Sequence, residues 1–280
     1  MKHAAEAIIA EVHRQESDRD RWIALVILCA GFLMIVLDQT IVNVALPSIR
    51  ADLGFSESSL AWVVNAYVVA FGGLLLLAGR LGDLVGRRRV LLAGLVVFTA
   101  ASLLCGIATT PGQLVAARFV QGVGGALASA VILGMIVTLF PEPREQARAI
   151  GAFSFAAAAG GSIGNIAGGL LSQVLSWNWV FFVNLPIGTA VVVLAVRLLD
   201  ADRGIGLEKG ADIVGAVLVT SGLMLGVYTI VGAADHGWTS EHTLGLGAVA
   251  LALVAGFVAR QATAATPLLP LRIFRSRNVS

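Results

Sequence analysis

The sequence predicts an all-α fold, a polytopic bundle of transmembrane helices, and three observations carry that expectation. Of the 280 residues, 58% are hydrophobic and 13% are charged, against about 25% charged in a soluble domain. Mean hydropathy is +0.88, and a soluble fold of this length could not hide so much apolar surface. Apolar runs of about 20 residues recur along the chain, each long enough to cross a hydrocarbon core ~30 Å thick as a helix. Lysine and arginine collect in alternate connections, the charge bias of a chain threaded back and forth through a bilayer. The net charge of +2 is therefore topological and does not point to nucleic acid.

Residues 1–21 are polar and of mixed charge, with a weak apolar stripe at Ile8, Ile9 and Val12. The run behind them starts at Trp22 and is too long for the core of a cleaved signal peptide, so 1–21 is expected as a cytoplasmic tail. Eight spans follow, at about 22–46, 60–78, 90–108, 112–140, 147–175, 179–199, 213–233 and 243–259. The first six form one bundle over 22–199. A charged linker occupies 200–212, two additional spans fill 213–259, and a second cytoplasmic tail takes 260–280.

With the N-terminus inside, all but two of the 19 lysines and arginines face the cytoplasm; the exceptions are Arg50 and Arg118. A missed or invented span would invert the later connections and spoil that bias, so both termini are expected inside, with the chain in the plasma membrane. The five tryptophans agree: Trp22 falls at the inner edge, and Trp62, Trp177, Trp179 and Trp238 at the outer one. Cys29 and Cys105 lie in apolar runs and read as buried thiols without a disulfide framework. His236 and His242 share one loop, where a metal site is the lesser reading. No nucleophile–base set or metal cluster occurs at membrane depth, so neither an enzyme nor a cofactor is expected.

Between the second and third spans lies Gly79-Arg80-Leu81-Gly82-Asp83-Leu84-Val85-Gly86-Arg87-Arg88-Arg89, a polar island that must reverse the chain at a membrane face. Gly79 and Gly86 suit helix ends that need positive φ. Asp83 can accept hydrogen bonds from the free N–H groups of a helix start. Any basic loop would explain the arginines; the G-x-x-x-D-x-x-G-R-R spacing asks for more. It closely resembles the signature loop between helices 2 and 3 of the major facilitator superfamily.

Only two formal charges sit well inside the apolar runs, Asp38 in the first span and Arg118 in the fourth. A charge at mid-bilayer costs roughly 2.5–3.5 kcal/mol, so such residues face a partner or a water-filled cavity. Both fall in the outer half at similar depth, where they can pair as a buried salt bridge or share a substrate cavity. Gln39, Asn43, Asn65 and Gln121 are further cavity candidates, or equally interhelical hydrogen-bond partners. Leu37-Asp38-Gln39-Thr40-Ile41-Val42-Asn43-Val44-Ala45-Leu46-Pro47 resembles the helix 1 motif of drug:proton antiporters in this superfamily. Arg118-Phe119-Val120-Gln121-Gly122-Val123-Gly124-Gly125-Ala126 resembles the helix 4 motif whose arginine is implicated in proton coupling. Arginine keeps its charge while aspartate can hold or release a proton, so the resemblance implies that Asp38 binds proton and substrate in turn under the influence of Arg118.

Gly160, Gly164 and Gly168 recur every four residues on the fifth span, and Gly122, Ala126, Ala130 and Gly134 form a similar stripe on the fourth. Such stripes let backbones approach closely. Gly161–Gly169 also resembles the helix 5 antiporter motif, with Asn165 where that family has proline, which leaves transport direction open. The stretch 176–188 resembles the multidrug branch, with Asn178 where arginine is common.

Together these motifs resemble the N-terminal six-helix half of the fourteen-helix drug:proton antiporters, plus their two extra helices. The resemblance implies a proton-driven exporter of small amphipathic or cationic molecules, with the bilayer and that substrate as its partners. It also implies that the second six-helix half, which Asp83 engages in that family, is missing or on a separate chain. The alternative is a membrane scaffold or half-transporter that moves nothing alone.

Overall fold

In the computed structural model, residues 2–202, 204–206 and 212–264 are described, with backbone only for 2–17, 58, 213 and 234–235. Residues 207–211 of the expected linker and the tail from 265 onward lie outside the described residues. The described chain forms ten helices: α1 (Lys2–Leu53), α2 (Glu57–Leu60), α3 (Trp62–Val85), α4 (Arg87–Gly106), α5 (Pro111–Leu139), α6 (Pro143–Val174), α7 (Trp179–Phe182), α8 (Asn184–Leu198), α9 (Ile213–His236) and α10 (Glu241–Thr263). Eight stretches are long and apolar enough to span a membrane, with α7 and α8 together making the sixth.

Boundaries differ from expectation where local chemistry is subtle. The helix carrying the first span is much longer than 22–46: α1 begins at Lys2 and continues past Pro47 to Leu53, and its membrane-length apolar stretch is Asp18–Leu53. Proline removes one backbone bond, which an otherwise apolar membrane helix tolerates. The sixth span is broken at Val183 because the Pro186 ring cannot pack behind the Phe182 carbonyl, four residues earlier. α6, by contrast, passes Asn165 without interruption.

The turn after α3 is also tighter than the polar island suggested. Gly79 is inside α3, and the whole reversal is made at Gly86, with φ of 110°. Asp83 does not cap the next helix; its Oδ1 accepts from Arg87 Nη2 at 3.3 Å. The cap comes from the linker, where the Asp202 carboxylate accepts the backbone N–H groups of Arg87 at 2.6 Å and Arg88 at 2.9 Å. The N–H groups of Ile205 and Gly206 in turn bond the Asp83 and Leu84 carbonyls at the end of α3, both at 3.0 Å. Arg87 further donates to Gly134 O and Thr138 Oγ1 on α5, and Arg88 to Val196 O on α8. The signature arginines thus serve as ties between helix ends.

α5 lies between α3 and α4, α1 lies against α6 and α8, α4 also contacts α8, and the α9–α10 hairpin packs on α3. Two apolar clusters fill the bundle. One contains Leu28, Met34, Leu95, Phe98 and Ile132; the other contains Ile41, Val63, Leu114, Val180 and Phe181. Asp38 and Arg118 sit between them.

The hairpin has its own lock. Asp212, at the start of α9 and 4% exposed, accepts from Gly215 N at 2.9 Å, Gln261 Nε2 at 2.9 Å and Arg260 Nε at 3.2 Å. Burial pushes its carboxyl up, but these three donors outweigh burial and hold it below the usual carboxylate range. A depressed folded-state value means stability that is present above the unfolded value of about 3.9 and lost as pH falls through the folded one. Acid unfolding of the α9–α10 hairpin between pH ~4 and lower values is therefore expected to lose its steepness in Asp212→Asn, measured by thermal unfolding across pH.

Candidate functional site

Asp38 on α1 and Arg118 on α5 are paired, with Arg118 Nη1 2.6 Å from Asp38 Oδ2. Neither faces lipid, and neither is open to water: their side chains are 0% and 1% exposed. Of the two arrangements open from the sequence, a buried salt bridge or a shared cavity, this conformation has the salt bridge, enclosed by the bundle.

Each partner is held from several helices. Asp38 Oδ1 accepts from Gln121 Nε2 on α5 and Asn184 Nδ2 on α8, both at 2.8 Å. Arg118 donates through Nε to the Val63 carbonyl on α3 at 3.0 Å and through Nη1 to Gln121 Oε1 at 2.7 Å. Its guanidinium also lies 4.4 Å from the centre of the Tyr67 ring and 5.8 Å from that of Phe181, distances at which the ring face attracts a cation. Ser102 Oγ on α4 accepts from Gln121 Nε2 at 2.8 Å and donates to the Phe98 carbonyl at 2.9 Å. All three groups facing the Asp38 oxygens are donors, the pattern that suits an ionised carboxylate.

Of the other sequence candidates, Gln121 is fully buried at the centre of this network. Gln39 reaches its edge, donating to Tyr67 Oη at 3.4 Å. Asn43 is exposed and donates to the Gln39 carbonyl on its own helix. Asn65 is half-buried on α3 and stands outside the hydrogen bonds that hold Asp38 and Arg118. Sequence reading missed Ser102 and Tyr67, and took Asn184 only as part of a motif. A buried polar side chain within an apolar run was the available signal, and for Asn184 and Ser102 it would have sufficed.

The helix-packing glycines surround the same level. A Cβ at Gly160 would lie 3.1 Å from the Leu33 carbonyl, and one at Gly168 2.8 Å from the Ile41 carbonyl. One at Gly164 would collide with the Thr40 hydroxyl. α6 therefore rides directly on the face of α1 next to Asp38. Gly122 plays the corresponding part between α5 and α3, where a Cβ would stand 2.5 Å from the Tyr67 carbonyl. Asn178, in place of the family arginine, donates to the Gly106 carbonyl at the end of α4 at 2.8 Å. His236 and His242 stack at 4.6 Å between centroids at the α9–α10 turn, far along the chain from the Asp38 network.

Eight membrane-length apolar stretches among the described residues, with an acid–guanidinium network buried where α1, α3, α4, α5 and α8 meet, define a multi-pass membrane protein. The profile of the Major Facilitator Superfamily matches residues 28–276, and the chain belongs to that superfamily, a family of transporters rather than enzymes. Among curated proteins it is similar to the cephamycin export protein CmcT of Amycolatopsis lactamdurans, 44% identical over 90% of this chain and 52% of that one. It is 41% identical to the puromycin resistance protein pur8 of Streptomyces alboniger, over 91% of this chain and 50% of the relative. The tetracenomycin C resistance and export protein of Streptomyces glaucescens is 36% identical over 91% and 47%, respectively. The chain spans about half the length of the curated relatives it matches.

Proposed function

We propose that this chain contributes the proton-binding bundle of an exporter of small amphipathic molecules, with α1–α8 as the six-span bundle and α9–α10 as an added hairpin. The observation that carries this reading is the Asp38–Arg118 pair, fully buried and held by Gln121 and Asn184 in a bundle of transporter family. Relatives named for export and resistance support the direction of transport.

The mechanism follows from which groups can change charge. Arg118 keeps its proton throughout and remains tied to the Val63 carbonyl, so it is the fixed member. Asp38 is the member that can be neutralised. Protonation from the outer, proton-rich side weakens its attraction to Arg118 and loosens α1 from α5. Release to the inner side restores the pair. Substrate reaches the site only in the loosened state, because the closed network admits no solvent. A 100 mV potential supplies ~2.3 kcal/mol per charge moved, enough for about fifty-fold accumulation of a univalent solute.

In everted vesicles carrying the complete transporter, Asp38→Asn is expected to abolish efflux driven by a pH gradient while leaving substrate binding measurable. Unchanged gradient-driven efflux would reject the assignment. Reconstitution of the 280-residue chain alone separates a bundle that needs a second six-span half, silent by itself, from one that transports unaided.

A further inference from the structure

The closed network has one donor too many for a protonated Asp38. With a proton on Oδ2, the acid would confront Arg118 Nη1–H; with a proton on Oδ1, it would confront the amide N–H groups of Gln121 and Asn184. Some neighbour must exchange a donor for an acceptor whenever Asp38 is neutral.

Arg118 has no acceptor to offer. Gln121 is engaged at both ends: its Oε1 accepts from Arg118 Nη1 at 2.7 Å and from the Cys105 thiol at 3.5 Å, and its Nε2 donates to both Asp38 and Ser102. Turning its amide would break all four bonds. Asn184 differs. Its Nδ2 donates to Asp38 Oδ1 at 2.8 Å and reaches Ser102 Oγ only at 3.4 Å. Among the described residues its Oδ1 is buried without a hydrogen-bond partner, on a side chain that is 0% exposed. No described residue holds that oxygen where it is, and a buried unpaired carbonyl is unfavourable.

We infer that Asn184 is the positioning residue that reads the charge of Asp38, donating through Nδ2 to the carboxylate and turning its amide to accept from the acid through Oδ1. The inference rests on Asp38 being the proton-binding group. The turn exchanges one N–H···O⁻ bond for one O–H···O=C bond and gives up the 3.4 Å contact with Ser102 Oγ; the Ser102 hydroxyl can rotate from the Phe98 carbonyl toward the incoming oxygen, which offsets that loss in part. Asn184 is also the first residue of α8, immediately after the break at Val183. A change in its side chain is therefore made at the joint of the sixth span, where backbone bonds are already interrupted.

The test is infrared difference spectroscopy of the full chain in lipid nanodiscs during a pH titration, with natural and ¹³C-labelled asparagine. The carboxylic acid carbonyl band lost in Asp38→Asn reports the acid. An asparagine carbonyl band should change with the same midpoint, and it should vanish in both Asp38→Asn and Asn184→Leu. Because the amide serves both charge states, the Asp38 titration in Asn184→Leu should move by less than about half a unit. A fixed donor would instead shift the titration to higher pH by about one unit or more on removal, with a silent asparagine carbonyl, and that result overturns the inference. Asn184→Ser supplies the same comparison if the leucine variant does not fold. An Asp38 band that never appears across the titration overturns the proton-binding reading itself, which separates the two failures.

Discussion

Arg118→Ala is expected to destabilise the bundle by about 3–5 kcal/mol, because it leaves a carboxylate unpaired in a fully buried site. The loss reaches beyond Asp38. The Val63 carbonyl and Gln121 Oε1 lose their donor, and the Tyr67 and Phe181 rings lose the cation beside them. Lysine should recover only part of this. A single ammonium cannot reproduce the planar fork that serves the α3 carbonyl and the α1 carboxylate while lying against Tyr67. The double variant Asp38→Asn/Arg118→Leu should be markedly more stable than Arg118→Ala, since removing both charges also removes their desolvation cost. Denaturant titration in mixed micelles gives the four corners of the cycle. An Arg118→Ala loss under about 1 kcal/mol would mean that solvent reaches the pair and that the closed network is not the populated state.

Gly124→Leu should be nearly as damaging, for a steric reason. Beyond Gly124, α5 meets α4 backbone to backbone. A Cβ there would lie 2.8 Å from both the Gly94 carbonyl and Phe98 Cα, and it would collide with the Phe98 N–H. Overpacking a core typically costs about 1–3 kcal/mol when side chains can yield. Here the opposing atoms are main chain, so the helices themselves must separate. Separation would pull Ser102 on α4 away from Gln121 on α5 and open the polar network. Expression, thermal stability and the Asp38 titration should all suffer in this variant. Gly161→Ala makes the control, because nothing lies within 4 Å of a Cβ at that position. It should be neutral or slightly stabilising in the same assays, and equal harm from both substitutions would refute the packing argument.

This contrast shows what local pattern conveys and what it omits. The four-residue glycine spacing at Gly160, Gly164 and Gly168 is visible in the chain because one helix face repeats with that period. The Gly94–Gly124 contact is not periodic; it joins single glycines on two helices, and only their docking reveals it. The same holds for the turn at 79–89. A glycine next to a charge reads as a helix end, yet Gly79 lies inside α3 and Gly86 alone makes the reversal. The cap that seemed to belong to Asp83 comes from Asp202, more than a hundred residues downstream. A short-range rule for helix starts has no means of finding a donor–acceptor match at that separation.

The chain by itself determined the eight spans, their polar connections and the two intramembrane charges. Hydrocarbon imposes rules that act along one dimension: a minimum apolar length for every crossing and a high cost for each charge. Any sequence obeying them displays its crossings and its exceptions openly. Tertiary structure decided what those exceptions meet. The rotation of α1, α4, α5 and α8 about their axes places Asp38, Ser102, Gln121, Arg118 and Asn184 in one closed network. That rotation is set by packing, summed over many weak contacts between distant segments, and no single segment contains it.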